Sequence, residues 1–374
     1  MGELAKFKQF KAELAIAETF EEIKFIESKA AAAAEFAKRN NIGKDVQDEW
    51  GIFRTEIWNK KGAWLKVNFP KSVRSKDRKS SVAVVATDKI MPVSEHESSD
   101  ARLIHNEVEL VKESTEEIKK SKEVVTPTKV AAKVRKKKKE KENENRENIS
   151  NSFDNNIEKE TGITSLKKGW FKIGNQYLYY GSNIDDIFLS FIPDCKFAFA
   201  DPPYNAEIAD WDKGFLWEQD YLQDIAEIVA VTPGGWNAYG FYQQTKMNYI
   251  WEMVCWIKNG MTHGRCGYAN FIKASIFSNN KVKISQDFWD ITIKTSETEE
   301  TNHKGRKPYD FMIYLIDMFT KQGDNIVDPF AGSGTTLLVS EKMGRVSYNA
   351  EMDEKYCIKI IERALSIGMD YGEF

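Results

Sequence analysis

Asp201-Pro202-Pro203-Tyr204 ends the apolar run Phe197-Ala198-Phe199-Ala200, and these four residues have the types needed to hold a planar ring bearing an amino group. A short apolar run bounded by a turn reads as a buried strand of an open α/β sheet, and ligands of such sheets gather outside the carboxyl ends of the strands. Asp201 therefore projects into a cleft. The successive prolines fix φ at about −65° and remove two backbone donors, so the carbonyls here are rigid and free to accept from a ligand. Tyr204 adds an aromatic face. The plainer alternative is an acid at a strand end that merely starts a proline turn.

A second segment, Asp324 to Thr336, reads as strand, glycine-rich turn and helix start. Gly332 and Gly334 let the backbone pass close to a ligand, and Thr335 opens a helix whose free N–H groups face the same cleft. Arg345 to Ala350 reads as the next strand, with Glu351 at its end, where an acid commonly grips the two hydroxyls of a ribose. A dinucleotide fingerprint would want a third glycine where this chain has Leu337. The pattern suits a nucleoside without a pyrophosphate and disfavours a nucleotide-dependent oxidoreductase.

Together these segments resemble the amino-methyltransferases of DNA, which use S-adenosylmethionine to methylate an exocyclic nitrogen of a base. That family's catalytic motif, D/N/S-P-P-Y/F/W, is matched by Asp201 to Tyr204, and its cofactor motif, F-x-G-x-G, by Phe330 to Gly334. Catalytic motif first and cofactor motif last resembles the β class. His303-Lys304-Gly305-Arg306-Lys307-Pro308 resembles that class's H-x-x-x-K-P segment with one extra residue between the His and the Lys-Pro. Asn175 to Ser182 resembles the strand and loop ahead of the catalytic motif, so the likeness runs from about Ile163 to the carboxyl terminus. It implies Asp201, Pro202, Pro203 and Tyr204 as catalytic residues. It also implies Asp328, Phe330, Ala331, Gly332, Gly334, Thr335, Glu351, Lys307 and His303 as residues that bind S-adenosylmethionine. Asp at position 201 resembles the adenine-N6 enzymes more than the cytosine-N4 ones. Relatives of this class often dimerise, so a homodimer or partner subunit is an expectation, as is a bacterial or phage restriction-modification setting.

The chemistry asks for such residues. The lone pair of an exocyclic amine is delocalised into its ring; if Asp201 takes one N–H and the Pro202 carbonyl the other, it is drawn towards the methyl donor, and positioning and electrostatics carry the rate. A base inside a duplex must be flipped out at a cost of roughly a few kcal/mol, with Tyr204 stacking on it. The same catalyst acting on RNA or single strands, and a non-catalytic DNA-binding scaffold, stay open at this level. A scaffold would not need all of Asp201, Pro202, Tyr204, Gly332, Gly334 and Glu351.

The 374 residues carry 54 Lys and Arg against 57 Asp and Glu, a balance that names no partner. Cys195, Cys255, Cys266 and Cys357 show no C-x-x-C spacing and do not cluster with the four histidines, so no metal is expected. No run approaches the roughly 18 apolar residues of a membrane span, and no signal segment opens the chain, so a cytosolic protein is expected.

Residues 1–70 read as a helical module. Thr19 with Glu22 forms a capping box, and a second helix spans about Lys44 to Leu65, its aromatics serving as packing. The module weakly resembles an amino-terminal helical extension of some phage and plasmid proteins. Residues 71–165 are rich in Ser, Lys and Glu and read as a disordered linker whose basic run, Lys133 to Lys141, is a solvated tether or a phosphate contact.

Residues 166–374 read as a methyltransferase domain with a parallel-rich sheet of about seven strands covered by helices on both faces. Helix is expected over Tyr221 to Val231 and from Tyr309, and strand over Trp236 to Phe241, Val254 to Ile257 and Phe271 to Phe277. Trp256 and Lys258 resemble the family's W-x-K strand end; the plainer reading is a buried Trp beside an exposed Lys. Arg265 and Lys258 are candidate nucleic-acid contacts. Asn279 to Asn302 is too short for the recognition domain usual in this class, which predicts a short or relaxed target.

Overall fold

The computed structural model describes residues 3–70, 92–153, 162–205, 214–260, 262–264, 267–294 and 306–373. The chain divides into two compact units, Met1–Glu144 and Asn145–Phe374.

The first unit is helical: α1 (Glu3–Ile16), α2 (Phe20–Arg39), α3 (Lys44–Asn68), α4 (Glu95–Asn106), α5 (Val108–Lys120) and α6 (Pro127–Asn151), the last crossing the boundary. The capping box forms: the Glu22 N–H donates to Thr19 Oγ1 at 3.2 Å, and Glu22 Oε2 accepts from the Thr19 N–H at 3.0 Å. Residues at spacings of three and four make the core, Ile23, Ile26 and Ala30 from α2 meeting Trp50, Phe53 and Ile57 from α3. Lys61 is fully buried and pairs with Glu27 and, at 2.5 Å, Glu97, tying α2, α3 and α4 together.

The disordered linker expected over 71–165 is overturned where the structure describes it, because α4, α5 and α6 occupy much of that range. Their apolar residues are sparse but fall on one face of each helix. Leu110 and Ile118 pack with Val125, Val130 and Val134 in one cluster, and Ile104 and Ala131 join Trp58 in another. The basic run is part of this packing. Lys133 and Lys137 both pair with Glu117, Lys138 with Glu107 and Arg135 with the buried Asp100, so these cations are engaged within the unit.

The second unit is built on a ten-stranded sheet where about seven strands were expected. In chain order its elements are β1 (Gly169–Ile173), β2 (Gln176–Tyr180), α7 (Asp186–Phe191), β3 (Cys195–Ala200), α8 (Leu222–Ile225), β4 (Ala226–Val231), α9 (Gly234–Gln244), β5 (Tyr249–Ile257), β6 (Thr262–Gly264), β7 (Gly267–Ala269), β8 (Phe271–Phe277), β9 (Phe288–Ile291), α10 (Tyr309–Phe319), β10 (Asn325–Asp328), α11 (Thr335–Lys342), β11 (Val346–Glu351), α12 (Glu354–Ser366) and β12 (Tyr371–Glu373). The sheet runs β12-β1-β2-β11-β10-β3-β4-β8-β5-β9, while β6 and β7 form a separate ribbon. Strands β2, β11, β10, β3 and β4 pair in parallel, so their carboxyl ends share one edge.

Strands β3 and β4 are nearly continuous apolar runs because both faces of the sheet are covered. On β3, Phe197 and Phe199 face a core with Phe311 and Leu315 of α10 and Ile360 of α12. Ala198 and Ala200 face the other core, with Phe188 of α7 and Phe241 of α9.

Two expectations are corrected here. Tyr221 to Val231 is helical only over its first turns, because Ala226–Val231 is a nearly continuous buried run that pairs with β3. Trp236 to Phe241 lies in helix α9, not a strand; Gly234, at φ +68°, follows Pro233 and turns the chain into it. In the span 279–302, β9 adds a parallel edge strand beside β5. Among the described residues no helix is long and apolar enough to cross a membrane.

Candidate active site

Strand β3 leads on to β4 on one side and its neighbour β10 leads on to β11 on the other, so the order of the sheet reverses between β3 and β10. Ligands of open α/β sheets bind outside the carboxyl ends at such a point. A cavity of about 500 Å³ lies there, within the range of roughly 300–1,000 Å³ common for small-molecule sites. Asp201 follows β3, Asp328 ends β10 and Glu351 ends β11, and all three line it. The cavity also takes in Pro202, Pro203, Tyr204, Lys307, Phe330, Ala331, Gly332 and Thr335, so the two separated motifs of the sequence meet in one place.

Asp201 is held from three directions. Its Oδ1 accepts from the Tyr204 hydroxyl at 2.5 Å and from Thr232 Oγ1 at 2.5 Å, and its Oδ2 pairs with the Lys307 ammonium. Lys307 also donates to the Tyr204 hydroxyl at 2.9 Å. Burial alone would make Lys307 easier to deprotonate, but the adjoining Asp201 charge outweighs it and pushes its pKa up, so the ammonium persists. Burial and the same charge push the Tyr204 phenol up as well, which keeps it a donor.

The glycine-rich loop is built by its own contacts. Gly334 stands at φ +75°, and a Cβ there would sit 2.8 Å from Ile360 of α12, so both the turn and the close approach require glycine. Asp328 braces the loop, accepting from the Phe330 N–H at 2.9 Å and Thr336 Oγ1 at 2.5 Å. Burial nonetheless raises its pKa to about 7. Glu351 accepts from the Gly332 N–H and the Asp353 N–H, each at 2.8 Å. Burial raises it to about 7 too, against the pull of those N–H groups.

The cavity fits the nucleoside cofactor expected from the sequence. A carboxylate has about four lone-pair sites, so Glu351, with two engaged by backbone N–H groups, keeps acceptors for a pair of ribose hydroxyls. Phe330 offers an apolar wall, its ring 5.6 Å from that of Phe215. Thr335 Oγ1 donates to the Lys307 carbonyl at 3.3 Å, joining the end of the glycine-rich loop to the residue that grips Asp201.

Two candidates lie outside the described residues, Arg265 and His303. Lys258 is described but does not line the cavity: it follows the edge-side strand β5 and pairs with Asp290 of β9 at 2.5 Å, both about half exposed. Trp256 is 41% exposed, contrary to the buried Trp of the plainer reading. Residues missed from the sequence include Thr232, and Asn183, whose side chain donates to the Pro329 carbonyl at 2.8 Å and is itself held by Gln219 at 3.0 Å. Neither sits in a recognisable motif, although Asn183 directly follows the Asn175 to Ser182 segment. Cys195, Cys255 and Cys357 are buried free thiols, and no cluster of metal-binding side chains occurs among the described residues.

The model of the N6/N4 DNA methylase family, described as DNA methylase, matches residues 237–363, which include Lys307, the Phe330 to Thr335 loop and Glu351 but begin after Asp201. The chain is 31% identical over 122 residues to the type II methyltransferase M2.LlaDCHI of Lactococcus lactis subsp. cremoris, spanning 32% of this chain and 44% of that protein. It is 32% identical over 99 residues to the type II methyltransferase M.HindIII of Haemophilus influenzae, spanning 25% of this chain and 26% of the relative. It is 32% identical over 94 residues to the DNA adenine methyltransferase YhdJ of Escherichia coli, spanning 25% and 32%. The chain thus spans less than half the length of each of these relatives. Within the second unit, residues 237–363 are similar to the DNA methylase family of the N6/N4 type.

Proposed function

We propose that the second unit transfers a methyl group from S-adenosylmethionine to the N6 amino group of adenine in DNA. The observation that carries this reading is the convergence of Asp201, the Phe330 to Ser333 loop and Glu351 in one cavity at the reversal point of the sheet. When bound, the cofactor supplies an electrophilic methyl group. Glu351 and the glycine-rich loop would hold its nucleoside, with Phe330 as an apolar wall. Asp201 accepts one N–H of the target amine and the Pro202 carbonyl the other, which localises the lone pair and turns it towards the cofactor side. As the nitrogen gains positive charge, the carboxylate of Asp201 faces it, an electrostatic contribution on the order of several kcal/mol. The ring of Tyr204 stacks on the flipped base while its hydroxyl steadies Asp201.

Cytosine-N4 transfer is the second reading, because the matched family model takes its name from both positions. The short span 279–302 supports a short or relaxed target. The catalytic residues would serve RNA or single strands equally well. Incubation with tritiated S-adenosylmethionine and equal amounts of duplex DNA, single-stranded DNA and RNA, followed by nucleoside analysis, tests the reading. Labelled N6-methyladenine from DNA supports it, N4-methylcytosine moves it to the second reading, and label in RNA alone refutes the DNA assignment. A strict target of six or more base pairs for the isolated protein would contradict the relaxed-site expectation.

A further inference from the structure

Asp201 would be a poor acceptor if it were free to turn, because the terminal torsion of an aspartate is broad. The structure shows what holds it. Of its four lone-pair sites, the Tyr204 and Thr232 hydroxyls take those on Oδ1 and the Lys307 ammonium takes one on Oδ2. We propose that Thr232 is a positioning residue for this carboxylate, completing a set of three donors that leaves a single Oδ2 lone pair for one N–H of the target amine. The inference rests on the methyl-transfer reading and goes beyond it, because it assigns a role to a residue that no motif marks.

Thr232 is suited to the task by its own fixity. It directly follows β4, its N–H donates to the Ala200 carbonyl at 2.9 Å, and it is 1% exposed. Ala200 immediately precedes Asp201, so the backbone that carries the acceptor and the hydroxyl that orients it are joined across adjacent strands. A β-branched side chain has few χ1 choices, and Pro233 restrains the next step of the chain. Thr232 does not line the cavity, so its hydroxyl serves Asp201 and not the cofactor. Displacements of about 1 Å at a reacting group are costly to rate, so loss of this tie is expected in turnover before it is expected in binding.

The test compares Thr232→Val, which keeps the shape, Thr232→Ala, which removes the side chain, and Thr232→Ser, which keeps the hydroxyl. Methyl transfer to unmethylated DNA and equilibrium dialysis of labelled S-adenosylmethionine are measured on the full chain. Val and Ala are expected to lower kcat about tenfold or more, as for loss of a hydrogen bond to a charged group, with cofactor Kd within about twofold and Ser within about threefold of the original rate. Full kcat in either Val or Ala, a Ser variant no better than Val, or cofactor binding that falls in step with kcat would each overturn the inference. An unaltered protein that transfers nothing to DNA removes the underlying reading and this inference with it. An active protein whose Val variant is equally active removes the inference alone.

Discussion

Asp201 and Glu351 stand at the ends of parallel strands two places apart in one sheet, yet one cavity treats them in opposite ways. Asp201 is compensated by a cation and two hydroxyls. Glu351 is met by backbone N–H groups, those of Gly332 and Asp353 among them, and burial raises its pKa to about 7. Between them Asp328 is turned inward on its own loop. The donors around Asp201 fix its orientation, whereas the raised pKa of Glu351 lets it take up or release a proton as a ligand arrives. On the methyl-transfer reading proposed above, the difference suits Asp201 to the reacting nitrogen and Glu351 to the nucleoside of the cofactor.

The largest effect that would test this contrast is at Asp201. Asp201→Ala is expected to lower methyl transfer by about a thousandfold or more, by analogy with removal of a main electrostatic group, while cofactor Kd stays within about twofold. Tritium transfer and equilibrium dialysis read the two quantities. Retained turnover would remove Asp201 from the chemistry.

Lys307→Met leaves that carboxylate without its cation, and breaking such a pair costs about 3–5 kcal/mol where it is buried. Lys307 is 9% exposed, so chemical unfolding should show a loss approaching that range. An unchanged unfolding midpoint would mean that the pair is not stabilising.

Glu351→Ala should act on the other side of the comparison. Cofactor affinity is expected to fall about 10–100-fold through loss of hydrogen bonds to a charged acceptor, with kcat at saturating cofactor largely kept. A change confined to kcat would exchange the two roles.

Titration gives a smaller and reversible version. Because the Glu351 pKa is raised, the group is protonated below about 7, and ribose hydroxyls bind its ionised form better. Cofactor affinity should therefore strengthen as pH rises from 5.5 to 8 by roughly tenfold. The linked effect on the free protein has the opposite sense: the stability contributed by this group is full below its unfolded value of 4.5 and is lost as pH rises through about 7. Affinity independent of pH would show that Glu351 does not meet the cofactor. The smallest effect is expected at Lys258→Ala, whose partner is an exposed Asp290; stability should change by about 0–1 kcal/mol and turnover by less than about twofold.

Much of this site was legible in the sequence because its parts are local. Asp201-Pro202-Pro203-Tyr204 and Phe330 to Gly334 carry their geometry in consecutive residues, proline stiffness in one and glycine turns in the other. What could not be read was assembled across strands. Thr232 matters because parallel pairing of β3 with β4 sets it beside Asp201, and no spacing along the chain announces that. Ala226–Val231 was misread as helix because a strand buried on both faces lacks alternation, and Trp236 to Phe241 was misread as strand because its aromatics outweighed the turn at Gly234. Residues 95–151 were misread as disorder because charge density hid apolar residues placed one helical turn apart, as at Val130 and Val134.

The most direct test of the central claim is nucleoside analysis of unmethylated DNA after incubation with tritiated S-adenosylmethionine and either the unaltered protein or Asp201→Ala. Labelled N6-methyladenine with the first and none with the second is the expected result. Absence of any labelled nucleoside with the unaltered protein, or equal labelling with both, would contradict it.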